Sequence, residues 1–254
     1  MFVDSHAHLQ WASFNRDRDE VIRRAKKAGV ARIVNIGFDV AGRRQGVELA
    51  ARYAGLYATV GLHPHNASQF DEVVLDELRQ LAGQAKVVAI GEIGLDYYRN
   101  RSPREAQKRA FEAQMRLAED LGLPVVVHDR DAHQEVVAVL SRFAGRVEGV
   151  LHCFSGSEAL AQQCIDLGFY ISLAGTVTFP NARRLQAVAR EIDVDKLLLE
   201  TDSPWLAPQA RRGKRNEPAF LPFIAEKIAK LKGVSVEVLG EKTTRNVEKI
   251  FHIK

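Results

Sequence analysis

Eight short apolar runs, several of them nearly continuous in Val, Ile and Leu, recur along the chain between polar segments with helical spacing. Such runs indicate strands that are buried on both faces. The predicted strands are, in order, Phe2–Ser5, Arg32–Gly37, Tyr57–Leu62, Val87–Glu92, Pro124–His128, Gly149–His152, Tyr170–Leu173 and Leu197–Glu200. Helical spacing between the strands is clearest over Arg16–Gly29 and Pro103–Gly122, and a last helix is expected from about Ser235 to Phe251.

This alternation of strands and helices predicts the fold class. Eight strands in 254 residues give roughly 32 residues for each strand and helix, close to the ~30 of a βαβ unit. We therefore expect one α/β domain over residues 1–254, a (β/α)8 TIM-type barrel with an extra C-terminal helix. A doubly wound open sheet is the main alternative, but its usual GxGxxG turn after the first strand is replaced here by DSHAHLQ.

The composition is that of an ordinary globular protein and does not identify a substrate. Hydrophobic residues at 46% and charged residues at 27% exclude a disordered or low-complexity chain. The net charge of +4 suits a polyanionic ligand but is too small to demonstrate one. Cys153 and Cys164 form no disulfide framework, and we expect both in the core, with Cys153 facing the outer helices. With no signal sequence or membrane span in view, we expect a cytoplasmic protein with no obligate protein partner.

His6 and His8 form an HxH pair at the end of the first predicted strand. Because side chains alternate along a strand, both imidazoles must point to the same face, here into the mouth of the barrel. Two imidazoles on one rim make half of a metal site, although a short pattern of this kind also recurs by chance. Residues elsewhere in the chain must decide between these readings.

Four further polar residues stand at the carboxyl ends of other strands: Glu92, His128, His152 and Asp202. The active site of a (β/α)8 barrel lies at that face, where such side chains add nothing to the core. Six ligands exceed the needs of one catalytic ion, and a carboxylate can bridge two ions. The residues therefore predict a binuclear metal site with Glu92 as the bridge.

The chain resembles the TatD-type metal-dependent deoxyribonucleases and hydrolases over essentially its whole length. The resemblance rests on DSHAHL at 4–9, GLHPH at 61–65, GEIGLDYY at 91–98, VVVHDRDA at 125–132, HCFSG at 152–156, ETDSPWLAP at 200–208 and RNEP at 215–218. It implies that one metal is held by His6, His8, Glu92 and Asp202. The second metal is then held by Glu92, His128 and His152. No ligand position departs from the family pattern.

Two divalent cations at such a site would neutralise a phosphodiester and activate a water molecule for attack. Asp202 and Glu92 are the expected catalytic residues, and the sequence leaves open whether Asp202 only ligates a metal or also accepts the proton of the water. The imidazole-rich ligand set favours Zn, Mn, Fe, Co or Ni, while Mg remains possible with phosphate and water ligands.

Substrate contacts are expected from other residues on the same rim. His63, Arg130 and Ser155 could donate to phosphate oxygens or could only support their loops. Arg215 ends a basic run at 210–216 that could contact a nucleic-acid backbone or be solvated, and it could instead pair with Glu217. We expect structural roles for His65, His133, Tyr97 and Tyr98, and an orienting role behind the ligands for Asp4.

The resemblance makes a metal-dependent DNase, with exonuclease action as one form of it, the leading interpretation, with DNA or another nucleic acid as substrate. A binuclear amide, ester or lactone hydrolase, such as an aminoacyl-tRNA deacylase, is the alternative. Many amidohydrolases of that kind bridge their metals with a modified Lys where this chain has Glu92, which favours the nuclease. A non-catalytic nucleic-acid-binding barrel is disfavoured by the intact ligand set.

Overall fold

The computed structural model describes residues 1–253 and contains an eight-stranded parallel sheet in which each strand pairs with the next along the chain. The strands are β1 (Phe2–Ala7), β2 (Val30–Ile36), β3 (Leu56–Val60), β4 (Val87–Asp96), β5 (Val125–Arg130), β6 (Gly149–Leu151), β7 (Tyr170–Leu173) and β8 (Leu197–Leu199). The order β1 to β8 is the order of the chain, as in a TIM-type barrel. The predicted fold class is confirmed.

The sheet is brought close to a closed barrel by backbone contacts that follow β8. The His8 amide donates to the Ser203 carbonyl at 2.8 Å, and the Asp202 amide donates to the His6 carbonyl at 2.9 Å. Ala7 and Ser203 form an isolated parallel bridge between these hydrogen bonds. The two ends of the sheet are therefore joined at the same residues that were predicted to hold a metal.

Nine α-helices are present among residues 1–253, and the first eight follow the eight strands in turn. They are α1 (Arg18–Lys27), α2 (Val40–Arg52), α3 (Glu72–Ala82), α4 (Arg104–Leu121), α5 (His133–Arg142), α6 (Glu158–Asp166), α7 (Arg183–Glu191), α8 (Leu221–Lys232) and α9 (Val236–Ile250). Side-chain oxygens of Asp39, Asp71, Ser157 and Ser235 cap α2, α3, α6 and α9. Within this described part of the chain, no helix is both long and apolar enough to cross a bilayer.

The extra helix α9 seals the end of the barrel opposite the predicted site. Its Asn246 amide donates to the carbonyls of Val194 and Leu197, where β8 begins, at 2.8 Å each. Val247 and Ile250, with the following Phe251 and Ile253, share one buried cluster with side chains of seven strands: Val3, Val34, Ile36, Val88, Ala89, Val126, Val150, Tyr170 and Leu198. We expected this helix only on the outside of the barrel, but its apolar face packs under the strands.

Two strands extend beyond the polar residues at which we expected them to end. β4 runs to Asp96 and β5 to Arg130, and the two pair as far as Asp96 with Arg130. Glu92 and His128 therefore lie inside strands, because a polar side chain does not interrupt backbone pairing when it points into the barrel mouth. A register shift between Gly91 and Ile93 accompanies this change.

Gly94 allows β4 to pass closely beside His128. Its φ is +134°, and a Cβ at this position would lie 2.0 Å from the His128 carbonyl oxygen. We expect Gly94→Ala to lower the free energy of unfolding by about 3 kcal/mol or more, since backbone strain and overpacking add together. Urea denaturation followed by circular dichroism measures the change.

The matched control is Gly122→Ala. Gly122 ends α4 with a φ of +64°, and no atom lies within 4 Å of a Cβ placed there. Only the left-handed backbone then opposes the substitution, at a cost of about 1 kcal/mol. Equal losses for the two variants would show that the contact with His128 is not what requires Gly94.

The segment after β8 is tied to the start of α1 by two bidentate ion pairs. Arg215 donates to both carboxylate oxygens of Asp17, at 2.8 and 2.7 Å, and Arg24 donates to both oxygens of Glu217, at 2.9 and 2.6 Å. The hydrogen bond from Arg215 holds the pKa of Asp17 below its ordinary value. Arg215 thus braces this segment mainly through Asp17, since its closest approach to Glu217 is 4.0 Å.

We expect Arg215→Ala to lower the free energy of unfolding by about 1 kcal/mol at neutral pH, because the pair is partly exposed. A carboxylate with a lowered pKa in the folded state stabilises the protein above its unfolded pKa of about 4, and this contribution is lost as the pH falls. The difference from the wild type should therefore shrink below about pH 4. Urea titrations at pH 7 and pH 3 measure it, with the exposed Arg23→Ala as a control.

Candidate metal centre

The HxH pair converges as its spacing predicted. The Nε2 atoms of His6 and His8 lie 3.0 Å apart, and both side chains are buried. Nδ1 of His8 is 3.1 Å from the Ile36 carbonyl oxygen, which can only accept a hydrogen bond. That bond therefore places the proton on Nδ1 and leaves the Nε2 lone pair of His8 free to bind a cation.

Two carboxylates complete the group around this pair. Glu92 Oε2 is 3.6 Å from His6 Nε2 and 3.9 Å from His8 Nε2. Asp202 Oδ1 is 3.7 and 3.4 Å from the same two nitrogen atoms. Since Asp202 follows β8 and Glu92 lies in β4, three separate strands supply one compact set of nitrogen and oxygen donors.

The second oxygen of Glu92 faces a different set of histidines. Oε1 lies 2.9 Å from His128 Nδ1, 2.9 Å from His152 Nε2 and 3.3 Å from His63 Nε2. The carboxylate thus presents one oxygen to each of two imidazole groups. This is the geometry in which a carboxylate can bridge two cations.

Three overlapping sets of donor atoms are close enough to hold a metal ion: His6, His152 and Asp202; His6, His8 and Glu92; His63, Glu92 and His128. All six predicted ligands appear in these sets. His63, which we expected to contact substrate, joins the second group. His152 lies between the two groups, with its ring stacked on that of His6 at 3.9 Å.

The protonation states of Glu92, His6 and His63 favour the binding of a cation. Burial would raise the pKa of Glu92, but the surrounding imidazoles outweigh it and hold that pKa well below its ordinary value. Burial lowers the pKa of His6 well below its usual range and that of His63 to about 4. At neutral pH the ionised Glu92 therefore lies beside neutral His6 and His63 imidazoles, the forms that bind metals.

On the other side of the centre, carboxylates favour the charged imidazoles. Burial opposes this charge, but hydrogen bonds to Asp96 and Glu92 raise the pKa of His128. Glu92 and Glu200 together raise the pKa of His152 well above its ordinary value, again against the effect of burial. A cation bound at these nitrogen atoms must replace their protons, so metal binding there is coupled to proton release.

Sequence reasoning missed two carboxylates that stand behind the ligands. Asp96 Oδ2 is 3.3 Å from His128 Nε2 and 2.6 Å from His65 Nε2. Glu200 Oε1 is 3.5 Å from His152 Nδ1. Strand alternation could have found Asp96, since it is four residues from Glu92 in the same strand and shares its face.

Asp4 acts on the backbone rather than on an imidazole ring. Its carboxylate accepts from the Thr201 amide at 2.9 Å, the Thr201 hydroxyl at 2.6 Å and the His6 amide at 3.3 Å. Complete burial raises the pKa of this carboxyl to about 7. Asp4 therefore fixes β1 against the residues that follow β8, and through the backbone it fixes His6.

A cleft of about 760 Å³ opens over the donor atoms. Three of the four expected substrate contacts line it, namely His63, Arg130 and Ser155. Arg215 is not among the described residues of the cleft wall. In the basic run, Arg211 lies over the rings of Phe220 and Phe223, and Arg212 lies over that of Phe179. Within the described chain, the run at 210–216 contributes no residue to the cleft.

The neighbouring residues divide between the cleft and its supports. Cys153 lines the cleft instead of facing the helices, because β6 ends at Leu151 and the alternation of its side chains stops there. The Cys153 backbone adopts a φ of +43°, and its amide donates to Glu200 at 2.6 Å. His133 pairs with Asp129 at 2.7 Å, in line with a structural role.

Comparisons with known proteins agree with this geometry. A sequence profile described as TatD related DNase matches residues 3–252. The uncharacterized metal-dependent hydrolase YabD of Bacillus subtilis (strain 168) is 43% identical over 254 residues, which cover 100% of both chains. The 3'-5' ssDNA/RNA exonuclease TatD of Klebsiella pneumoniae (strain 342) is 39% identical over 258 residues, 98% of this chain and 97% of the relative.

A solved structure shows the same architecture. The crystal structure of YjjV, a TatD homologue from Escherichia coli K12, superposes with a TM-score of 0.94 at 31% sequence identity. The superposition covers 100% of this chain and 98% of that chain. The resemblance read from the motifs is confirmed, and the donor clusters fit the metal dependence in the names of the relatives. The chain belongs to the TatD family of metal-dependent hydrolases.

Proposed function

We propose that this protein is a two-metal phosphodiesterase that hydrolyses DNA or another nucleic acid, as an exonuclease. The observation that carries the proposal is the division of Glu92 between two imidazole groups, one at each carboxylate oxygen. A single cation would leave one of those groups without a role. The exonuclease activity in the name of the Klebsiella relative supports the same reaction class.

The residues fit two divalent cations by the chemistry of their donors. The first would be held by His6, His8, Glu92 and Asp202, and the second by Glu92, His128 and His152, with His63 as a further donor. The imidazoles favour Zn, Mn, Fe, Co or Ni over an oxygen-ligated Mg site. Bound there, two cations would neutralise the phosphodiester and lower the pKa of the attacking water.

Asp202 is the best placed general base. Its carboxylate reaches the centre through Oδ1 and also lines the cleft. Its backbone has a φ of +54°, which Asp tolerates better than most residues, and its amide is fixed by the His6 carbonyl. The carboxylate is therefore held at the side of the centre that substrate enters, where it can orient water and take up a proton.

The charge of the cleft wall supports a polyanionic substrate. Arg99, Arg101 and Arg130 line one side of the cleft, in the segments after β4 and at the end of β5. Guanidinium groups bind phosphate oxygens with two parallel hydrogen bonds. An aminoacyl ester could meet the same activated water, but a small ester would not require three arginines on one wall.

We expect two metal ions per chain in the reconstituted wild type, and markedly fewer after Glu92→Gln. The amide keeps the shape of Glu92 but lacks the charge that both imidazole groups face, so both sites should weaken. Elemental analysis of the purified, metal-loaded protein gives the stoichiometry. The control is Glu77→Gln, which alters a carboxylate that pairs with Arg43 and Arg44 on the outer helices. One ion per chain in the wild type would contradict the binuclear centre.

We expect the metal-loaded protein to hydrolyse single-stranded DNA, and Asp202→Asn to reduce kcat by 100-fold or more, about the scale of a general base. The amide retains the fold but accepts no proton. Parallel assays with double-stranded DNA, RNA and an aminoacyl ester, with and without chelator, identify the substrate class. Hydrolysis of the ester alone would replace the nuclease with the deacylase. Melting temperatures show whether the variant is folded.

A further inference from the structure

Three aromatic side chains form a cluster at one edge of the cleft, directly beside the metal centre. The ring centroids of Trp11 and Trp205 are 5.1 Å apart, and Phe38 lies 5.8 Å from Trp11. The ring of His8, a predicted metal ligand, is 5.0 Å from Trp205 and 5.1 Å from Phe38. The aromatic cluster is therefore in contact with the donor atoms of the centre.

The two tryptophans are exposed although they are large and apolar. Trp11 is 38% exposed and Trp205 is 40% exposed, and both line the cleft. Their planes meet at 66°, so the two rings do not stack on each other face to face. Large rings left open to water inside a cleft mark a binding surface for an apolar or aromatic group.

Trp205 is held in place by groups that also hold Asp202. The Trp205 amide donates to the Asp202 carbonyl at 3.0 Å. The Trp205 carbonyl accepts from Asn216 at 2.6 Å, and Asn216 is fully buried and donates also to Thr201. The backbone that carries the ring is thus fixed relative to the general base before substrate arrives.

The wall across the cleft has the opposite chemistry. Trp11 follows β1, Phe38 follows β2 and Trp205 follows β8, whereas the three arginines of the cleft come from the segments at the ends of β4 and β5. In an eight-stranded barrel with the strands in chain order, β1 lies opposite β5. The aromatic wall therefore faces a wall of arginines, two of which lie over the exposed ring of Tyr98, with the donor atoms between the two walls.

We propose that the nucleobase of the nucleotide adjoining the scissile phosphate stacks on the ring of Trp205 and meets the ring of Trp11 with its edge, while the arginine wall holds the backbone on the other side. The inference rests on the proposed nuclease function. A strand that crosses the centre must place a base next to the cleaved phosphate, and the aromatic wall is the surface there that fits it. Stacking accepts every base, since each has a π-face. A nuclease without sequence preference needs contacts of this kind.

The first test uses tryptophan fluorescence, because the chain has two tryptophans and both belong to the aromatic cluster. The metal-loaded enzyme is titrated with a nuclease-resistant phosphorothioate trinucleotide, or with the same molecule lacking its bases. Calorimetry measures binding of each. We expect quenching by the trinucleotide and little or none by the base-free strand at saturation. Equal quenching by both, or none by either, would overturn the proposal.

The second test measures how the ring and the base depend on each other. We expect Trp205→Ala to reduce kcat/KM on single-stranded DNA by about 5- to 150-fold. On a strand that is abasic at the stacked position, the loss caused by the same variant should be at least several-fold smaller, because no base is present to stack. Trp205→Phe keeps an aromatic face and should recover most of the activity. Equal losses on normal and abasic strands would show a structural role and reject the stacking site.

The two tests separate this inference from the function on which it rests. If the wild type hydrolyses DNA but neither its fluorescence nor its kinetics depend on the base, the proposed nuclease function is kept and the stacking site is rejected. If no nucleic acid is hydrolysed with any metal, the proposed function fails. Fluorescence then still decides whether Trp11 and Trp205 bind a base. Melting temperatures of the Trp205 variants exclude unfolding as the cause of a loss.

Discussion

The buried charge of Glu92 is the constraint on which the rest of the centre depends. A carboxylate that is 4% exposed inside a protein is costly unless partners compensate its charge. Here the imidazoles of His152, His63 and His128, all near Oε1, keep the carboxyl ionised against the effect of burial. His6 and His8 lie near the other oxygen, at 3.6 and 3.9 Å, so the one carboxylate faces both imidazole groups.

The barrel supplies the rigidity that this arrangement needs. Donor atoms come from six strands or from the residues just after them, so a small shift of one strand would separate them. The sheet closes at the ligands themselves, through hydrogen bonds that link His6 and His8 to Asp202 and Ser203. Asp4 adds a buried link to Thr201 at the same seam. The closure of the fold and the formation of the site are therefore one structural event.

The position of the cleft follows from the same topology. Segments after β8, β1 and β2 bring aromatic rings to one side, and segments from β4 and β5 bring guanidinium groups to the other. Opposite strands thus give the two sides of the centre opposite chemistry. A phosphodiester bound as we propose would have apolar neighbours for its base on one side and cationic neighbours for its phosphates on the other.

Local patterns in the sequence determined the barrel and the residues that cluster at its mouth, because strand alternation and the carboxyl-end rule depend only on residue spacing. The spacing of His6 and His8 in one strand predicted that their side chains share a face, and the apolar run before Glu92 predicted its place at the barrel mouth. Contacts between distant segments were decided by the tertiary structure. His63 lies beside Glu92, Glu200 lies behind His152, and Arg215 pairs with Asp17 instead of lining the cleft. Spacing along the chain carries no information about such pairs, since they form only when the barrel closes.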